Sequence, residues 1–254
     1  MAKRLVSSRP VRIDSPANEL VRRLRDLGRV REPGAVLLEG PRVIAEAAAC
    51  GVQLELLATR EGVDSPGIEA ERAVTLSARA FAAASQTVTP QGVLAVARVG
   101  ESTVPEAVAA ARAAHWPLVV LDGVQDPGNV GAICRTAAAA GAPALVVLDG
   151  GADPYGAKAV RASAGHVFRL EVARGSWEDL AGLEGYGAVA GGGVPSERAD
   201  LAAADLVALG GETRGLRNSA LRPLTISMAP GVESLNVAAA AAILLFDLRR
   251  RLAA

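Results

Sequence analysis

The stretch Leu118-Val-Val-Leu-Asp-Gly-Val-Gln-Asp-Pro-Gly-Asn-Val-Gly-Ala-Ile-Cys-Arg-Thr136 decides the fold class. Leu118–Leu121 is an apolar run too short for a helix and bounded by Asp122-Gly123. Asp126-Pro127-Gly128 then turns the chain, and Val130–Ala140 is Ala-rich and helical up to Gly141, a residue suited to the left-handed C-cap of a helix. Strand, turn and helix in that order form the repeating unit of a parallel sheet. Asn129 stands where its side chain can satisfy orphan N–H groups at the helix start. Gly131 would allow close backbone packing, and the side chain of Arg135 diverges from that of Asn129 in a regular helix. Taken alone, this is also ordinary turn grammar with a surface arginine.

Toward the N-terminus the alternation continues in weaker form. Asn18–Arg31 reads as an amphipathic helix, with Leu20, Leu24 and Leu27 on one face and Arg22, Arg25 and Arg29 on the opposite one. Ala35–Leu38 (strand), Arg42–Cys50 (helix), Leu54–Ala58 (strand), Ser77–Ala84 (helix) and Val93–Arg98 (strand) follow. Val99–Trp116, with Pro105 near its start and Pro117 after its end, reads as a helical connector. The expected domains are therefore 1–98, a connector over 99–116, and 117–254. Toward the C-terminus, Leu145–Leu148, the neighbourhood of Val189, Leu206–Leu209 and Leu224–Ile226 read as strands. A helix from about Asn236 to Leu252 closes the chain, with Val237, Ala241, Leu244 and Leu248 as its stripe. The expected class is α/β with a mainly parallel sheet, helices on both faces, and ligands beyond the carboxyl ends of the strands.

Two further segments carry chemistry. Leu206-Val-Ala-Leu-Gly-Gly-Glu-Thr-Arg-Gly-Leu216 runs from a strand into a glycine-rich loop with one carboxylate. It lacks the Gly-Lys-Ser/Thr of a phosphate-binding loop and is not a dinucleotide fingerprint. Leu224-Thr-Ile-Ser-Met-Ala-Pro-Gly-Val-Glu-Ser-Leu-Asn-Val237 ends a strand, turns at Pro230-Gly231 and enters the last helix. Capping accounts for Ser234 or Asn236, but not for both beside an Ile-x-Met loop.

Composition narrows the class. Lys+Arg and Asp+Glu are both 27, so the chain is not a histone-like polycation. The balance is uneven: residues 1–31 carry nine basic side chains against three acidic ones, a candidate grip on nucleic-acid phosphate or simply a solvated face. Cys50 and Cys134 have no paired spacing, which points to a reducing cytoplasm rather than a disulfide scaffold. With only His115 and His166 besides, no metal site is expected. No signal peptide is read at the N-terminus, and the longest apolar run, Val237–Phe246, is too short to span a bilayer, so no membrane association is expected.

Together, Asn129, Gly131, Arg135 and Thr136, then Gly210–Gly215, then Ile226, Met228 and Ser234–Val237, resemble the three ordered motifs of the SpoU/TrmH family of RNA ribose 2′-O-methyltransferases, in the SPOUT superfamily. Lys158–Leu170 resembles the stretch between the first two motifs, and Ser227 departs from the usual Pro between Ile and Met. The N-terminal half, through Leu38-Glu-Gly-Pro-Arg42 and Thr89-Pro-Gln-Gly-Val93, resembles the family's substrate-binding domain, itself similar to a small ribosomal RNA-binding protein.

The resemblance implies a deep trefoil knot, a homodimer and S-adenosyl-L-methionine as cofactor. Carried over by position, Leu209, Gly210, Gly211, Ile226, Met228 and Leu235 would bind the cofactor, and Arg135, Asn129, Glu212, Ser234 and Asn236 would serve the reaction. Glu212 either orients Arg135 or fixes its own loop; the sequence leaves both open. Arg22, Arg25, Arg29 and Arg42 would contact RNA. The implied substrate is ribosomal RNA of the large subunit, with tRNA as the alternative; a non-catalytic RNA-binding or ribosome-assembly factor is the rival from another class. A phosphate- or nucleotide-binding α/β enzyme would rest on the glycine-rich turns alone.

Overall fold

The computed structural model describes residues 11–211 and 214–253, in two compact units, 1–99 and 100–254. The first unit runs β1 (Val11–Ile13), α1 (Glu19–Leu27), β2 (Ala35–Glu39), α2 (Pro41–Ala49), β3 (Gln53–Arg60), β4 (Arg72–Leu76), α3 (Ala78–Ala84) and β5 (Val93–Arg98). Its sheet has the order β1-β4-β3-β5-β2. β5 is antiparallel to both β2 and β3, so this sheet is mixed where the alternation suggests a mainly parallel one. Alternation marks which segments are strands, and a mixed sheet satisfies it equally well.

Asn18 caps α1 through a hydrogen bond from the Leu20 N–H (2.9 Å), and Val21, Leu24 and Leu27 are buried against Leu37, Phe81 and Leu94. The helix stops at Leu27 rather than Arg31. Gly28 takes the C-cap, and a Cβ there would lie 2.3 Å from the Gln86 side chain, whose amide donates to the Arg25 carbonyl (3.1 Å). The two N-terminal stretches singled out in the sequence meet in space. The buried Glu39 carboxylate accepts from the Gln86 N–H (3.2 Å) and the Thr87 hydroxyl (2.8 Å), while the Gly40 N–H donates to the Val93 carbonyl (3.0 Å).

Across this unit, Arg23 donates to Glu55 (2.5 Å) and Glu32 (3.1 Å). Arg23 holds the Glu55 carboxyl below its ordinary range against the opposing effect of burial. A depressed carboxylate stabilises the fold above its unfolded pKa and loses that contribution as pH falls through its folded one. Glu55→Gln is expected to cost about 0.5–1 kcal/mol at neutral pH, the pair being partly exposed. In urea unfolding the difference from the parent should shrink as pH falls through the lowered pKa of Glu55.

The second unit runs α4 (Val104–Ala113), β6 (Leu118–Asp122), α5 (Pro127–Ala140), β7 (Ala144–Leu148), α6 (Ala157–Ala162), β8 (Glu171–Gly175), β9 (Gly185–Ala188), β10 (Val194–Pro195), β11 (Leu206–Gly210), β12 (Arg222–Thr225) and α7 (Val237–Leu252). All its strand pairs are parallel, in the order β10-β12-β9-β11-β6-β7-β8. Leu118–Asp122 and Ala144–Leu148 are buried throughout, as strands covered on both faces must be. α4 lies within the stretch read as a connector and buries Val104, Ala107 and Ala111 in a core with Leu118, Val120 and Val146. α5 packs on α6 and α7. Gly131 makes the first contact possible, since a Cβ there would lie 2.2 Å from the Ala159 carbonyl oxygen. Gly141 ends α5 in the left-handed conformation (φ 91°), as its position in the sequence implies.

Candidate active site

The start of α5 differs from its sequence reading in one informative respect. Asp126, not Asn129, is the N-cap: its carboxylate accepts from the Asn129 N–H (3.0 Å), with Pro127 in the first turn. Lys158 of α6, in the stretch between the first two motifs, donates to the same carboxylate (3.0 Å). That bond, with the one from the Asn129 N–H, holds the Asp126 carboxyl below its usual range. Asn129 therefore has its side chain directed elsewhere, and its Oδ1 accepts from Asn236 Nδ2 (3.2 Å). Asn236 in turn caps α7 through Oδ1, which accepts from the Ala238 (3.0 Å) and Ala239 (3.3 Å) N–H groups. Two helix starts are thereby joined by a pair of amides 107 residues apart.

A cavity of about 310 Å³ opens beyond the carboxyl ends of β9, β11 and β12, walled also by the 226–235 loop and the start of α7. Leu209, Gly210, Gly211, Ile226, Met228 and Leu235 all line it, and Ser234 joins them. The lining combines apolar side chains with main-chain groups, which suits a ligand with a flat apolar ring and polar ends. Gly215 supplies open wall: its φ is +63°, and a Cβ there would meet no protein atom within 4 Å. Ser227, the departure from the family pattern, donates to Glu197 (3.4 Å).

A second cavity, of about 410 Å³, adjoins the first and shares Gly215 and Val237 with it. Its lining is polar: Gln125, Asp126, Asn129, Asp149, Arg214 and Arg217. Asn236 borders it through the bond to Asn129. Arg135 is exposed on α5 and lines neither of these two cavities. Glu212 lies outside the described residues. Cys134, beside Arg135, is no nucleophile, because burial pushes its thiol up to about 12.

The sequence reading missed three residues here: Asp122 at the end of β6, whose carboxylate accepts from both Trp177 after β8 and Arg217 after the glycine-rich loop. They are far apart in sequence, and no local pattern announces a buried carboxylate. In the first unit, Arg22 and Arg42 are exposed on α1 and α2, Arg25 is half-buried beside Asp26 (3.3 Å), and Arg29 is exposed in the turn beyond α1. Among the described residues no group of three or more His, Cys, Asp or Glu side chains is placed to hold a metal ion, and no helix is long and apolar enough to cross a membrane.

Comparison with known proteins bears on both units. The SpoU rRNA Methylase family matches residues 117–246, and the MRM3-like substrate binding domain matches residues 18–95. The chain is 33% identical over 252 residues to the 23S rRNA (guanosine(2553)-2′-O)-methyltransferase RlmP of Bacillus subtilis, covering 93% of this chain and 98% of that one. An AdoMet-bound rRNA methyltransferase from Sinorhizobium meliloti is similar in structure (TM-score 0.78, 26% identity, 95% of this chain and 98% of that one). So is an RNA 2′-O ribose methyltransferase (TM-score 0.75, 29% identity, 96% and 100%).

Proposed function

Because this chain belongs to the SpoU rRNA methylase family, we propose that it methylates a ribose 2′-hydroxyl in large-subunit ribosomal RNA with S-adenosylmethionine. One observation carries the reading: an apolar, glycine-walled cavity and a polar cavity share a wall, so a methyl donor and a nucleotide can meet there. When bound, the cofactor supplies an electrophilic methyl group on a sulfonium. Leu209, Ile226, Met228 and Leu235 would enclose its adenine, and the main chain at Gly210 and Gly211 would meet its polar parts.

The protein's task is then alignment of the hydroxyl and control of one proton. Asn129, Ser234 and Asn236 offer neutral hydrogen bonds to ribose and phosphate. A guanidinium is a poor general base, so the role of Arg135 is electrostatic: it grips the neighbouring phosphate and steadies charge developing on the 2′-oxygen. Since it lines neither cavity of its own chain, the homodimer delivers it from a second copy. Exposed Ile243 and Phe246 on α7 support such a pairing.

Insertion of β12 between β9 and β10, strands laid down before it, supports a chain threaded as a trefoil knot. Arg22, Arg25, Arg29 and Arg42 of the N-terminal unit take RNA phosphate, and the protein works in the cytoplasm. Incubation with labelled S-adenosylmethionine and unmodified ribosomal RNA, followed by nucleoside analysis, should yield one 2′-O-methylated nucleoside of large-subunit RNA. Label confined to tRNA would move the substrate assignment, and absence of cofactor binding in calorimetry would favour a non-catalytic RNA-binding protein.

A further inference from the structure

Asp122 ends β6 with its side chain 0% exposed, a position a carboxylate holds only when its oxygens are hydrogen-bonded. It accepts from the Arg217 main-chain N–H (2.6 Å), from Arg217 Nε (2.5 Å) and from Trp177 Nε1 (3.1 Å). The main-chain carbonyl of the same residue accepts from the Gly211 N–H (2.8 Å). Arg217 is held at its far end as well, where Nη2 donates to the Asp149 carbonyl (2.9 Å). Asp122 thus fastens both ends of the 211–217 segment, the entry through its backbone and the exit through its side chain. The neck is closed by the Gly215 N–H donating to the Gly211 carbonyl (2.9 Å). There is no slack at Gly211, where a Cβ would lie 2.2 Å from the Gly123 carbonyl oxygen.

The described residues of this segment, 211 and 214–217, stand between the two cavities. Gly215 lines both, Gly211 faces the first, and Arg214 and Arg217 face the second. We propose that Asp122, Arg217 and Trp177 are positioning residues for methyl transfer: a clamp that sets the partition and with it the line between methyl donor and ribose. The proposal rests on the methyl-transfer reading above. Charge compensation by Asp122 commits Arg217 to the wall of the second cavity rather than to phosphate, and Trp177 closes the remaining direction of approach to the carboxylate. The clamp spans β6, the end of β7 and the chain after β8, so it ties the described residues around Gly211 and Gly215 to the middle of the sheet.

The test uses the full chain, with Arg217→Ala, Arg217→Lys and Trp177→Phe as exposed or half-buried variants that spare the buried carboxylate. In steady-state assays with S-adenosylmethionine and unmodified ribosomal RNA, Arg217→Ala should lower kcat about 100-fold, the scale of a misalignment of about 1 Å, with little change in KM. Arg217→Lys and Trp177→Phe should fall between it and the parent. In the ligand-free chain, hydrogen exchange at Gly211, Gly215 and Arg217 should quicken at least about tenfold in Arg217→Ala, while exchange in β6 and β7 stays as in the parent. Unchanged kcat with unchanged exchange overturns the clamp, and so does a loss confined to KM. Quickened exchange in a chain whose parent transfers no methyl group supports the clamp and overturns the reaction.

Discussion

Arg135→Ala is expected to lower methyl transfer by about 10²–10³-fold, the scale of losing one charge-stabilising donor. An equal mixture with Gly210→Val is expected to recover about one quarter of the parent activity if dimers form at random. The mixture is the informative arm. If Arg135 serves the cavity of the partner copy, each mixed dimer has one site with an intact cavity and an intact arginine, and half of the dimers are mixed. If Arg135 acted within its own chain, no site in any dimer would be whole and the mixture would stay inactive. The geometry favours the first outcome, because Arg135 is exposed on α5 and lines neither cavity. Arg135→Lys should retain substantial activity, since a charge at that place is what the proposed role requires; loss as complete as in the alanine variant would argue against it. Dimerisation of each variant, followed by sedimentation, separates a failed site from a failed assembly.

The second large effect belongs to Gly210→Val. At Gly210 a Cβ would lie 2.4 Å from the Gly215 carbonyl carbon and 2.6 Å from the Leu216 nitrogen, main-chain atoms in the wall of the first cavity. The strand β11 is fixed on both sides by β6 and β9, so the loop must yield. Overpacking on this scale costs about 1–3 kcal/mol, and spent on the binding-competent loop it weakens S-adenosylmethionine binding by up to about 100-fold. Calorimetry reads this directly, and a circular dichroism spectrum like the parent's would place the damage in the loop. Affinity within about twofold of the parent would show that the loop bends aside and that the glycine is dispensable.

Much of this architecture is legible in the sequence because the second unit is built from strands buried on both faces. Val119–Leu121 and Leu145–Leu148 are apolar without interruption, and Gly141 marks where the helix between them ends. The strands that escaped notice have the opposite character. Val11–Ile13 has three residues with Arg12 in the middle, and Arg72–Leu76 and Glu171–Gly175 mix charge with apolar residues. Such strands are recruited by neighbours already in place, information that a local pattern does not carry.

The same division runs through the site. Glycines and an Ile-x-Met loop cluster in short segments, which makes the six residues expected to bind the cofactor legible as a group, and all six surround one cavity. The role of Asn129 as a cap was misread because Asp126, three residues earlier, is an equally good cap and wins by also meeting Lys158. The Asp122 clamp was invisible because its members meet only through the fold of the sheet.

Asn236 illustrates how far two demands on one side chain restrict what can replace it. Starting α7 needs only an acceptor, which Ser, Thr or Asp would supply. The bond to Asn129 needs a donor on the same short side chain, and of those residues only Asn has an acceptor and an amide donor on separate atoms. Variation that capping alone would tolerate at position 236 would thus break the bond to Asn129. The C-terminal helix therefore cannot be re-engineered at its cap without loosening the start of α5 as well.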